Sequence, residues 1–136
     1  MVEKTEEFVG NSPYVSEDLA IIVPTKDRPN ELERFLQSIV SLNCKVGRII
    51  IVASGQDIQD VVMKYNQLLP VEYYTSEPGQ IRQRNQGISL LSESTRLVAT
   101  MDDDTVFKKN SVTEIIKFWN NVEPETAGVG FNIVGH

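Results

Sequence analysis

The stretch LAIIVPTKDRP, residues 19–29, passes from the pattern of a buried strand to that of a helix within a few residues. Its first five residues are all apolar and too few for a helix, which is typical of a strand buried on both faces. Pro29 suits the first position of a helix, and apolar residues then recur at intervals of three and four through residues 32–40. A buried strand that leads directly into an amphipathic helix is the first half of a βαβ unit.

The same alternation continues along the chain. Apolar runs predict further strands at residues 48–53, 71–74, 97–101 and 128–134. Helical spacing predicts further helices at residues 58–65, 79–91 and 112–119. The pattern therefore predicts an α/β fold whose mainly parallel, Rossmann-like sheet is flanked by helices. Residues 1–17 are polar and acidic, and they predict a loosely held N-terminal lead-in before one domain at residues 18–136.

Composition narrows the class of protein. Thirteen basic residues stand against 19 acidic ones, and the resulting net charge of -6 argues against a duplex nucleic-acid partner. Cys44 has no second cysteine with which to form an intrachain disulfide, and the chain opens without the pattern of a signal peptide. No apolar run approaches the roughly 20 residues that cross a bilayer, so we expect a cytoplasmic protein without a transmembrane segment.

A mainly parallel sheet binds its ligands at the carboxyl ends of its strands. The segments that follow three of the predicted strands are residues 24–28, 53–55 and 102–104. The last of these is Asp102-Asp103-Asp104, whose carboxylates repel one another unless a positive group compensates them. On an extended backbone Asp102 and Asp104 point the same way and can share one target, and hard oxygen ligands suit Mg²⁺ or Mn²⁺. The alternative is a solvated acidic turn that caps the following helix.

The aspartate segment alone does not select a reaction. MDDDTV, residues 101–106, also fits the phosphatase motif of the haloacid dehalogenase superfamily, whose first aspartate is a nucleophile. That chemistry requires a later Ser or Thr, a Lys and another acidic pair. Only 32 residues follow Asp104, and they contain no aspartate, so the sequence disfavours a phosphatase.

Three segments in order resemble glycosyltransferase family 2. IIVPTKDRP, residues 21–29, resembles the opening strand and loop of that family, where an apolar strand runs into Pro-Thr-aromatic-Asn-Arg. GQIRQRNQG, residues 79–87, is similar to the family's helix start, Gly-x-x-x-x-Arg-Asn-x-Gly. Asp102-Asp103-Asp104 falls where the family has its Asp-x-Asp motif. The resemblance covers residues 18–135 and implies a GT-A fold in which this region binds a nucleotide-diphosphate sugar.

The resemblance also implies roles for single residues. It assigns base, ribose or diphosphate contacts to Pro24, Thr25, Lys26 and Arg28, and a base contact to Ser54. Asp102 and Asp103 would lie near the ribose and the sugar, while Asp104, with Asp102 beside it, would hold Mn²⁺ or Mg²⁺. Arg82 and Arg84 are further candidates for substrate contacts, but at most one can point at the ligand because they are two apart on a helix.

Two positions depart from the family's pattern. Ser54 stands where the family often has an aspartate that hydrogen-bonds to uracil, which leaves the base preference open. Lys26 stands where an aromatic side chain often stacks on the base, so its ammonium group either reaches a phosphate or remains an exposed loop lysine.

The resemblance implies transfer of the sugar to an acceptor hydroxyl with inversion, assisted by a carboxylate base. In the family that base follows the Asp-x-Asp motif, in the half that binds a saccharide or lipid-linked acceptor. The acids after Asp104 are Glu114, Glu123 and Glu125, and all three fit a solvated surface. We therefore expect only the donor-binding part of an enzyme, inactive alone and truncated in a strand whose exposed edge favours self-association. A non-catalytic nucleotide-sugar or nucleotide binding module is the alternative.

Overall fold

The structure is a computed structural model that describes residues 2–4, 12–123, 125–126 and 128–129. Within these residues the strands are β1 (Val2–Lys4), β2 (Leu19–Lys26), β3 (Arg48–Ser54), β4 (Val71–Thr75), β5 (Leu97–Thr100) and β6 (Gly128–Val129). The helices are α1 (Pro29–Val40), α2 (Gln59–Met63), α3 (Gln80–Ser89) and α4 (Ser111–Trp119). A single 3₁₀ turn at Ser16–Asp18 precedes β2. The described helices include none that is long and apolar enough to cross a membrane.

One sheet carries the strands in the order β4-β3-β2-β5-β1-β6. Strands β4, β3, β2 and β5 run parallel to one another, while β1 lies antiparallel to both β5 and β6. The prediction of a mainly parallel, Rossmann-like sheet flanked by helices is confirmed. The order places β2 between β3 and β5, so the carboxyl ends of these three strands meet at one edge of the sheet.

The sheet is buried on both faces, which explains the uninterrupted apolar runs of β2 and β3. Alternate residues of β2 enter two separate cores. Ile21 and Val23 pack in the larger core with apolar residues of α1, α2 and α4. Ile22 packs in the smaller core with residues of β3 and β5, on the face that contacts α3. Gly87 lets α3 approach closely, because a Cβ there would collide with the Ile22 side chain.

The N-terminal lead-in was predicted to be loosely held, and the structure differs where it describes that segment. Val2–Lys4 pairs with residues 97–99 of β5, so part of the lead-in completes the sheet. Arg96 holds residues 12–18 in place. Its Nη1 donates to Asp18 Oδ2 at 3.1 Å, and its guanidinium also donates to the carbonyl oxygens of Ser12 and Pro13. The Arg96 guanidinium also lies 4.4 Å from the ring centre of Tyr14. These contacts join residues distant in sequence, so local polarity gave no sign of them.

Three predicted elements are shorter in the structure, and one of them is the helix predicted at 79–91, which is Gln80–Ser89. The helix predicted at 58–65 ends at Met63, and the residues that follow it form turns. The strand predicted at 97–101 ends at Thr100. Of the final strand predicted at 128–134, the structure describes Gly128–Val129 as β6. Residues 130–134 lie outside the described residues, and the predicted exposed edge for self-association falls there.

Candidate donor-binding site

A cleft of about 480 Å³ lies where the carboxyl ends of β2 and β5 meet the N-terminus of α3. It brings together the predicted loop after β2, the predicted aspartates and the start of α3. Its lining consists of Pro24, Thr25, Lys26, Arg28, Gly79, Gln80, Gln83, Asp102, Asp103 and Asp104. Seven of the ten predicted substrate contacts and metal ligands therefore line one cleft, and Ser54, Arg82 and Arg84 do not.

The three aspartates occupy a turn rather than an extended strand end. After β5 the backbone N–H of Thr105 donates to the carbonyl oxygen of Asp102 at 3.1 Å, which closes the turn. Asp102 and Asp104 are exposed and Asp103 is buried. Asp102 and Asp104 therefore share an exposed environment that Asp103 does not, as expected for an extended backbone, but the turn is what separates them.

Asp103 connects the ends of β2 and β5. Its side chain accepts a hydrogen bond of 2.8 Å from Thr25 Oγ1, and Arg28 Nε lies 3.1 Å from its other oxygen. Burial raises the pKa of Asp103 above its usual value, while the Thr25 hydroxyl and the Arg28 charge act in the opposite direction. Because both carboxylate oxygens are engaged by the protein, Asp103 stabilises the cleft wall from within.

Asp102 and Asp104 have looser partners. Gln80 Nε2 donates to Asp102 Oδ1 at 3.3 Å, and Arg28 Nη2 lies 3.8 Å from Asp104 Oδ2. The described residues form no cluster of three or more His, Cys, Asp or Glu side chains able to hold a metal ion. Two exposed carboxylates still fit Mg²⁺ or Mn²⁺, because these ions bind through one or two carboxylates and take substrate phosphates as further ligands.

Gln83 is a buried residue of the cleft that the sequence did not single out. Its Nε2 donates to the carbonyl oxygens of Thr25 at 2.9 Å and Val52 at 2.8 Å, and its Oε1 accepts from the Gly79 N–H at 3.2 Å. These bonds attach the first turn of α3 to both β2 and β3. A glutamine on the buried face of a predicted helix was the one signal that could have identified it.

Arg82 and Arg84 do not line the cleft. Arg82 is exposed on α3, whereas Arg84 is partly buried. The Arg84 Nε atom is buried and has no hydrogen-bond partner among the described residues. Neither arginine therefore joins the aspartates in the lining of this cleft, and a substrate contact from Arg82 or Arg84 stays a prediction.

Ser54 lies in a second cleft of about 290 Å³ at the carboxyl ends of β3 and β4. The lining comprises Ala53, Ser54, Gly55, Gln56, Asp57, Gln59, Tyr73, Thr75 and Ser76. Ser54 is 4% exposed, and its Oγ has no hydrogen-bond partner within the described part of the chain. A buried hydroxyl without a partner is costly, so a ligand that bonds to it gains specificity.

Comparison with known proteins assigns the chain to a class. The sequence model of glycosyl transferase family 2 matches residues 20–135, and the chain belongs to that family. The match includes the aspartate turn, so it favours this class over the haloacid dehalogenase phosphatases. No curated protein matches the sequence.

Solved structures share the fold at low sequence identity. TarS 1–349 from S. aureus has a TM-score of 0.66 at 19% identity, over 74% of this chain and 31% of that one. The TarS 1–349 complex with UDP-GlcNAc has a TM-score of 0.64 at 20% identity, over 74% of this chain and 30% of that one. The mannosyltransferase PcManGT from Pyrobaculum calidifontis, in complex with GDP-Man and Mn²⁺, has a TM-score of 0.67 at 17% identity, over 83% and 35%. The predicted GT-A fold is confirmed, and the matched region spans about a third of each of these chains.

Proposed function

We propose that this chain is the donor-binding part of a metal-dependent glycosyltransferase that binds a nucleotide-diphosphate sugar. The observation that carries the proposal is the convergence of the β2 loop, the aspartate turn and the N-terminus of α3 in one cleft. Membership of glycosyltransferase family 2 supports it. The solved relatives with UDP-GlcNAc and with GDP-Man and Mn²⁺ support this class of ligand.

The charges in the cleft suit a diphosphate accompanied by a cation. Lys26 and Arg28 provide positive charge, and the N–H groups at the start of α3 favour an anion. Asp102 and Asp104 are the residues that would hold Mn²⁺ or Mg²⁺. The cation, when bound, would neutralise charge that develops on the departing nucleoside diphosphate.

The second cleft is the proposed site for the base. The Ser54 hydroxyl can donate or accept one hydrogen bond, unlike the acceptor-only aspartate that the family often has at this position. This difference leaves both uracil and guanine as candidates. Asp57, which accepts a hydrogen bond of 3.3 Å from the Tyr73 hydroxyl, adds a carboxylate to the same cleft.

We propose inversion by direct attack of an acceptor hydroxyl, and we assign no general base in this chain. Glu114 lies on α4 with Lys117 at 3.9 Å, and Glu123 and Glu125 are exposed. None of these three acids lines either cleft. Donor binding without transfer is therefore the activity we expect from these 136 residues, and self-association remains a prediction.

Calorimetry tests the proposal. At least one of the UDP, GDP and dTDP sugars should release heat with Mn²⁺ or Mg²⁺ present, and Asp104→Ala should abolish the metal-dependent part. Asp60→Ala, an exposed aspartate on α2 outside both clefts, is the matched control and should bind normally. If no nucleotide sugar binds under any metal condition, the proposal is wrong. Turnover with added acceptor would separate an enzyme from a non-catalytic binding module.

A further inference from the structure

Asp27 has an unusual backbone conformation. Its φ is 54°, and among the described residues it is the one non-glycine residue with a positive φ. Asp and Asn enter this left-handed region more readily than other side chains, but the conformation still requires support from its surroundings. The support comes from the loop that follows β3.

The Asp27 carboxylate bonds to that loop. Its Oδ1 accepts a hydrogen bond of 2.6 Å from the backbone N–H of Gln56. Gly55 has a φ of 78°, and a Cβ at this position would collide with the Asp27 carboxylate. The contact therefore depends on both sides: a left-handed aspartate in one loop and a glycine in the other.

This contact lies between the two clefts. Lys26 and Arg28, on either side of Asp27, line the cleft that contains the aspartate turn. Ser54, Gly55 and Gln56 line the second cleft. Asp27 itself is among the lining residues of neither cleft, so a role for it must act through its neighbours.

We propose that Asp27 is a positioning residue that fixes the β3 loop, and with it Ser54, relative to the cleft that holds the diphosphate. This inference rests on the proposed function, because it concerns the distance between the base and diphosphate sites. A nucleoside diphosphate must reach both clefts at once, so its affinity depends on how they are held relative to each other. A ligand confined to the first cleft does not depend on that distance.

Three substitutions separate the hydrogen bond from the backbone conformation. Asp27→Asn keeps an acceptor oxygen and tolerates a positive φ, Asp27→Gly keeps the φ and removes the acceptor, and Asp27→Ala loses both. Each variant of the 136-residue chain is titrated with UDP, GDP and inorganic pyrophosphate in the presence of Mn²⁺. Hydrogen exchange of the Gln56 amide, followed by NMR, reports the contact without any ligand.

Asp27→Gly should weaken the tighter-binding nucleotide about tenfold, the loss expected for one hydrogen bond to a charged group. Pyrophosphate affinity should not fall, because loss of the Asp27 carboxylate only frees Lys26 from a 3.7 Å ion pair at the first cleft. Asp27→Asn should restore nucleotide binding, and the Gln56 amide should lose protection in the Gly and Ala variants. Equal nucleotide affinity in wild type and Asp27→Gly would overturn the inference. So would an equal loss in Asp27→Asn, because charge rather than the hydrogen bond would then be responsible.

The design distinguishes this inference from the proposed function. If the wild-type chain binds neither nucleotide, the proposed function fails and the role of Asp27 in ligand binding fails with it. If the wild type binds and Gln56 exchange is the same in all four proteins, the proposed function stands and the positioning contact is wrong.

Discussion

At the scale of single residues, Arg28 shows how the cleft compensates its own negative charge. It contacts buried Asp103 through Nε and approaches exposed Asp104 through Nη2. The Asp103 contact is shorter and shielded, whereas the Asp104 contact is exposed and weak. A cation that binds Asp104 must therefore compete with a nearby guanidinium, and a diphosphate gives that guanidinium another partner.

This competition yields a prediction for Arg28→Gln. Loss of the positive charge should strengthen binding of Mn²⁺ alone about two- to fivefold, the range expected from an exposed ion pair. The same change should weaken binding of UDP or GDP with Mn²⁺, because a phosphate contact is lost. Mn²⁺ titration followed by electron paramagnetic resonance measures the first effect and calorimetry the second. Unchanged affinity for Mn²⁺ alone would contradict the competition.

The bond between Thr25 and Asp103 gives a second prediction at this scale. Thr25→Val leaves a buried carboxylate oxygen without its donor, so the free energy of unfolding should fall by about 1–3 kcal/mol. Thr113→Val, which removes an exposed hydrogen bond to Asn43, is the matched control and should cost less. Urea denaturation measures both changes. Equal losses in the two variants would show that the burial of Asp103 does not determine the cost.

At the scale of elements, β3 and β4 are joined by a polar cluster beside the smaller core. Arg48 on β3 makes two bonds of 2.7 Å to Glu72 on β4, and the Tyr74 hydroxyl donates to the same carboxylate at 2.7 Å. The hydrogen bonds from Arg48 lower the pKa of Glu72 below its usual value, although partial burial opposes them. None of these three residues lines either cleft, so we expect the cluster to affect stability and not binding.

The sign of the pH dependence follows from that shift. Because the pKa of Glu72 is lower in the folded chain, its contribution is complete above the unfolded value of about 4.3 and is lost as pH falls through the folded value. Glu72→Gln should therefore lower the free energy of unfolding at pH 7 by about 1 kcal/mol. Between pH 6 and pH 3, the free energy of unfolding should fall less in this variant than in the wild type. Urea denaturation across this pH range tests the prediction. Glu114→Gln is the control, because Glu114 forms only an exposed ion pair with Lys117 at 3.9 Å. A wild-type acid loss no larger than that of Glu72→Gln would contradict the assignment.

The elements also show which parts of the fold and the site sequence could predict. Strands β2 and β3 and helices α1 and α4 follow from local patterns of apolar residues, and the loop after β2 and the aspartates followed from their places at strand ends. Strand β1 could not be predicted, because three residues carry no periodicity and its partner is nearly 100 positions away. Gln83 was missed for a similar reason, since its acceptors are carbonyl groups of other elements.

At the scale of the whole molecule, the candidate site exists only in the folded chain. Its residues span positions 24 to 104 and meet because β2 lies between β3 and β5. A ligand that needs this arrangement binds the native state and not the unfolded one, so binding must raise the stability of the entire chain. This linkage allows a test that does not depend on catalysis or on an acceptor.

We predict that the preferred nucleotide sugar with Mn²⁺, at a concentration 100 times its dissociation constant, stabilises the chain by about 2.7 kcal/mol. For a chain of this size the melting temperature should rise by roughly 10 °C, as differential scanning calorimetry would measure. Asp104→Ala should lose most of this rise, because the cation is then poorly held. Glu72→Gln should keep it despite a lower starting stability, because its cluster lies outside both clefts. An equal rise in wild type and Asp104→Ala would mean that the ligand binds without the aspartate turn, and the proposed metal site would then be wrong.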